Sequence, residues 1–156
     1  MIMTIKGLFH DFIYGIQNII VWFPVVWKDR NWDGDYVYRL LYKKIKLMEK
    51  HNCPCAQYVG QEKMLAEIRE AEQLLKRITE GSYLLDTLEP VEAKYGEWKL
   101  EFEQCDGKPY GTMIDNRSEE HKAAWEVASD EASCLERQDK EDLYKMLSEK
   151  LDGWWT

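Results

Sequence analysis

Histidine is scarce in this chain: there are three in 156 residues, with no obvious pairing of a base with a nucleophile. A Gly-x-Ser-x-Gly elbow, a Gly-rich phosphate loop and a His-Glu-x-x-His pair are all missing, so no familiar hydrolase, phosphate-loop or zinc-protease centre can be written from the sequence. An enzyme of another kind is left without argument. Positive charge is also short. Twenty-one Lys and Arg against 29 Asp and Glu leave a net charge of −8, which sets the chain against general nucleic-acid binding, because phosphates are met with cations. The four cysteines, Cys53, Cys55, Cys105 and Cys134, come without a convincing secretory signal, so reduced thiols in a cytosol are expected. The run "HNCPC" places His51, Cys53 and Cys55 together, but no second Cys/His pair lies near, and no metal or cofactor is expected. Long apolar runs are lacking as well. Residues 12–27, "FIYGIQNIIVWFPVVW", fall short of the roughly 20 apolar residues that a membrane span needs and are broken by Pro24. The expectation is a buried helix followed by a turn. Peripheral membrane contact is the alternative, weakened because the polar face is not rich in Lys or Arg.

What the chain does have is apolar residues in step. The length suits one domain over 1–156, with a composition of 45% apolar residues and no internal repeat or low-complexity stretch. From Thr4 to Phe23 the apolar positions recur at steps of one, three or four, and Pro24 is expected to end this first helix, with "VVW" leading out extended and buried. A second helix starts at Asp33 or Asp35 and runs to about His51, with Val37, Leu40, Leu41, Ile45 and Met48 inward and Arg39, Lys43, Lys46 and Lys50 outward. A third fits 58–80, with Gly81 as its C-terminal cap. Residues 82–117 read as a short helix and then a hairpin, since "WKLEF" alternates and "CDGK" is a turn signal. Helix returns from about Asn116, with Asn116 and Glu119 as an approximate capping box, and continues to Trp154 as one helix or as two joined near Asp139. The fold class is therefore mainly α: a bundle of four to five helices with a small β-hairpin around 97–113.

Charge is unevenly spread. Residues 1–57 carry eight Lys/Arg against five Asp/Glu, net +3, whereas residues 58–156 carry thirteen against twenty-four, net −11. An acidic second half suits a solvated helical surface, and it equally suits a basic partner for which it imitates nucleic acid.

The densest chemistry lies in "WKDRNWDGDY", residues 27–36. Arg30 is a planar cation able to grip a carboxylate or phosphate two-pronged, and Trp27, Trp32 and Tyr36 are rings that stack on a base or cover a guanidinium. With Asp33 and Arg39 they make a candidate ligand or partner site. The same residues also suit a purely structural turn, in which the tryptophans fill space between helices and the aspartates pair or cap. A second aromatic cluster, Lys94, Tyr95 and Trp98, and the closing pair Trp154 and Trp155 are secondary candidate interfaces.

The stretch "VWFPVVWKDRNWDGDYVYRLLYKKIKLMEKH" resembles a recurring type of small bacteriophage protein of uncharacterised function, through a Pro followed by W-K-D-R-x-W-D and then a basic-striped helix with "MEK". The "KYGEW" element and a C-terminal "WW" are similar too. The resemblance implies an accessory factor acting in the host cytosol. On this reading it binds a host protein, defence proteins among them, and inhibits or redirects it without catalysis. The alternative is that it sequesters a signalling nucleotide in a pocket built by Arg30, Trp32, Tyr36 and Arg39, between protomers of a homo-oligomer.

Overall fold

The computed structural model describes residues 5–30, 33–51, 60–99, 101–104 and 111–154, with the backbone alone for residues 5, 6, 8 and 104. Five helices account for most of them: α1 (Ile5–Val26), α2 (Tyr36–His51), α3 (Gln61–Glu80), α4 (Tyr83–Tyr95) and α5 (Glu119–Lys150). Two short strands, β1 (Glu101–Gln104) and β2 (Gly111–Ile114), form an antiparallel hairpin in the register Glu101↔Ile114 to Gln104↔Gly111. A 3₁₀ turn, Leu151–Trp154, ends the described chain. This is the mainly α bundle with a small hairpin that the residue pattern implies.

The core forms where α3 lies between α2 and α5. Ile45 and Met48 of α2 meet Met64, Ile68, Ala71, Leu74, Leu75 and Ile78 of α3, and Leu143 and Trp154 close the cluster. Removing Ile45, Ile68, Leu75 and Leu143 fully from water stabilises the fold by about 1.5 to 3 kcal/mol for each side chain, before entropy is counted. α4 packs on the first half of α5, where Leu88, Ala128 and Ala132 are buried.

Helix ends follow the local chemistry. Gly81 takes a left-handed φ of 64° and its N–H bonds the Arg77 carbonyl, as the sequence suggests for the end of α3. α5 begins at Ser118, whose hydroxyl accepts from the His121 N–H at 3.2 Å, in place of the expected capping box at Asn116. Asp115 and Arg117 are tied together just before this helix. α5 is a single helix of 32 residues and does not break near Asp139.

Two expectations fail at the N-terminal end. α1 passes through Pro24 to Val26, and the Trp27 N–H still bonds the Phe23 carbonyl at 2.8 Å. The proline removes one bond of the ladder near the end of the helix, where the neighbouring bonds survive. The larger correction concerns burial. α1 stands apart from the packing of the other helices, and Phe9, Phe12, Ile19, Ile20, Phe23 and Trp27 are exposed along it, as is Val37 on α2. Apolar periodicity locates a face without saying what covers it.

Candidate binding surfaces

The turn between α1 and α2 is built from local hydrogen bonds. Lys28 and Asp29 donate to the Val25 and Val26 carbonyls at 3.1 Å each, and the Asp33 N–H reaches the Arg30 carbonyl at 2.8 Å. Asp33 Oδ1 then accepts from the Asp35 N–H at 3.1 Å, an arrangement in which an aspartate starts the next helix. Arg39 Nη1 lies 3.8 Å from Asp33 Oδ2 and leans on the same turn. Tyr36 is buried, and burial followed by the Asp29 carboxylate pushes its phenol up. Arg30 spends one N–H on the Asp29 carbonyl and is otherwise exposed, and Trp27 is 71% exposed. Asp33, Tyr36 and Arg39 therefore hold the turn, while Trp27 and Arg30 are presented outward. Trp32 lies outside the described residues.

The second cluster is more elaborate than its sequence suggests. Tyr95 stacks on His121, with centroids 5.1 Å apart and planes 11° from parallel, and the Lys94 ammonium donates to the Tyr95 hydroxyl at 2.9 Å. The Arg117 guanidinium sits 4.0 Å from the centre of the Trp98 ring and 5.3 Å from that of Trp125. Asp115 clamps it two-pronged, both bonds at 2.9 Å, and Arg117 in turn holds the Asp115 carboxyl far below the usual carboxylate range. Two buried donors, Trp98 Nε1 and Arg117 Nη1, have no hydrogen-bond partner among the described residues. A hollow of about 500 Å³ opens beside them, lined among others by Tyr95, Trp98, Lys99, Arg117, Ser118 and His121. Nothing local to Arg117 marks it as a site residue, and His121 and Trp125 recur with Ala124 and Ala128 at the three- and four-residue steps of a helix face. Their one-turn spacing places both on the face of α5 turned to α4.

Trp154 is docked, 3% exposed, with its Nε1 donating to Glu67 at 3.3 Å, which makes it a core residue; Trp155 lies outside the described residues. A second hollow, about 540 Å³, runs between α3 and α5 past Glu70, Leu74, Arg77, Asp142, Met146 and Glu149. At its edge Arg77 grips Asp139 at 2.6 and 2.7 Å, and the Tyr83 hydroxyl donates to the same carboxylate at 2.6 Å.

Along α5, Glu119, Glu126, Asp130 and Glu141 fall in one row at helical spacing, with Val127 exposed beside them. Glu126, Asp130 and Glu141 are exposed and make no ion pair among the described residues, although the exposed Arg137 falls in the same row between Asp130 and Glu141. Among the described residues no group of three or more His, Cys, Asp or Glu is placed to hold a metal ion, and no helix is long and apolar enough to cross a membrane. Cys53, Cys55 and Cys105 lie outside the described residues, and Cys134 is exposed. Compared with family models, curated proteins and solved structures, the chain matches none of them.

Proposed function

We propose that this is a phage-encoded accessory protein that works in the host cytosol by binding a host protein, defence proteins included, and inhibiting or redirecting it without catalysis. The observation that carries the reading is the acidic row of α5. Among the described residues Glu126, Asp130 and Glu141 make no ion pair along one exposed row of this long helix, which Arg137 interrupts between Asp130 and Glu141, with the apolar Val127 beside it. Exposed like charges on a rigid rod repel one another and are relieved by a partner of opposite sign. The partner that fits is a protein with a basic surface, one that otherwise faces nucleic acid or another polyanion.

The test is capture from a bacterial lysate on the immobilised protein, beside the variant Glu126→Lys/Asp130→Lys/Glu141→Lys. The reading expects a stoichiometric basic protein on the wild type, lost in the variant and released by moderate salt, as exposed ionic contacts are. Capture that survives the reversal of charge, or a partner without basic character, would sink it.

A second reading, a small-anion binder of the nucleotide kind, is favoured by the hollow at Trp98 and Arg117. It holds aromatic faces, Lys99, His121 and two donors without partners among the described residues. Calorimetric titration with mononucleotides, repeated on His121→Gln, separates it from the first. Heat in the wild type that the variant loses supports it, and absence of heat removes it.

A further inference from the structure

Along α1 the residues Phe9, Phe12, Ile16, Ile19, Phe23 and Val26 alternate at steps of three and four without a break. That 3.5-residue period is the one that keeps an apolar seam facing a partner helix over its whole length. Ile13, Ile20 and Trp27 widen the seam on one side. The seam points away from the rest of the molecule. Phe9, Phe12, Ile19 and Ile20 are 66, 64, 65 and 67% exposed, while Val21, Trp22 and Val25, on the opposite side of the helix, are the half-buried ones.

With ring side chains of ~200 Å² and aliphatic ones somewhat smaller, the exposed part of this face amounts to roughly 900 Å². The largest apolar patch on an ordinary monomer is about 300 to 600 Å², and a standard interface takes about 800 Å² from each partner. One such face is therefore too large to be left in water and large enough for one full interface.

We infer that α1 pairs with α1 of a second copy of this chain, seam against seam, to make a two-fold dimer. Three observations choose that occupant. The seam is self-complementary in length and period, which is what an interface using the same patch twice requires. Lys6 and Asp11 are the only Lys, Arg, Asp or Glu in the helix, so a protein of net charge −8 can bring two copies together here without opposing like charges in bulk. At Gly15, on the edge of the seam, a Cβ would meet nothing within 4 Å among the described residues apart from its chain neighbours and the backbone of its own helix, which leaves room for a second backbone. A lipid surface needs an apolar arc but no 3.5-residue period, and it is better held by a Lys/Arg-rich polar face than by one carrying a single lysine and an aspartate. The inference is independent of the α5 reading.

Sedimentation equilibrium of the full chain, beside Phe12→Glu/Ile19→Glu, tests it. Both replaced side chains are exposed in the protomer, so the variant is expected to keep its helical circular dichroism. Wild type should sediment with twice the mass of one chain, and the double variant should raise the dimer dissociation constant at least about 100-fold. Leu85→Glu, an equally exposed change on α4, should leave the dimer intact. If the double variant does not fold, Ile20→Asn serves in its place, with its dimer dissociating at about 10-fold higher concentration. A wild type that stays a single chain at micromolar to near-millimolar concentration overturns the inference, as does a double variant that remains dimeric. A single chain that floats with vesicles of phosphatidylcholine and phosphatidylglycerol overturns it in favour of a lipid surface.

Discussion

Replacing Asp139 with alanine removes a carboxylate that ties three helices together. Asp139 on α5 accepts two bonds from Arg77 of α3 and one from Tyr83 at the start of α4. The two kinds of partner do not count equally. The Arg77 side chain is 56% exposed and that of Asp139 only 13%, so Arg77 can turn to water when its acceptor is lost, and its share is discounted to roughly 0.5 kcal/mol. The Tyr83 hydroxyl is partly buried and loses a charged acceptor, worth about 1.5 kcal/mol. Asp139→Ala should therefore cost about 2 kcal/mol, read as a lower urea midpoint by circular dichroism, and lower Tm by roughly 6 °C. Tyr83→Phe should account for most of the loss, and adding it to Asp139→Ala should cost little more, since both remove the same bond. A loss below about 0.5 kcal/mol for Asp139→Ala, or a larger one for Arg77→Ala than for Asp139→Ala, would refute this division of the network.

Three further outcomes are expected. Burial works against the charge on Asp139, yet Arg77 and Tyr83 hold its carboxyl below the usual range, and Arg117 does the same to Asp115. Both contributions are complete above the unfolded-state value near 4 and are lost as pH falls through the lower folded values. An acid series of urea melts should thus show stability declining below about pH 4, with a shallower decline in Asp139→Asn. Leu75→Ala, at a fully buried position facing α2 and α5 residues, should cost about 3 kcal/mol by the same melts, and a loss under 1 kcal/mol would mean that the core is not closed there. Ser118→Ala should cost about 1 kcal/mol, seen as faster hydrogen exchange at the His121 amide, whereas Ser118→Asp should leave that amide protected.

The helices of the core were legible because their periodicity and their burial coincide: Met64, Leu65, Ile68, Ala71, Leu75 and Ile78 sit on the face that the sequence marks, and all are buried. α1 separates the two properties, since its apolar steps are regular along its length and its face is exposed. Nothing local distinguishes a stripe that meets its own domain from one that meets another surface. The same limit explains Arg117. Its neighbours Trp98 and Trp125 lie nineteen positions before it and eight after, and only the return of the chain through the hairpin brings both rings to one guanidinium. In the turn at 27–36 the sequence suits both a structural turn and a binding site; Asp33 is used as the turn requires, Trp27 continues the exposed face of α1 against Phe23, and Arg30 is turned outward.

The way the core is closed also orders events during synthesis. Ile45, Ile68 and Leu75 belong to α2 and α3, but the cluster is completed by Leu143 and Trp154, and Trp154 returns to bond Glu67 across 87 positions of sequence. Tyr38 likewise waits for Tyr144, 106 positions later. A chain leaving the ribosome holds α2 and α3 as an open-sided pair through the translation of about half its length, for several seconds at ordinary elongation rates. Nascent chains halted before residue 143 should therefore be held by chaperones and cut readily by proteases, and release past residue 154 should end both.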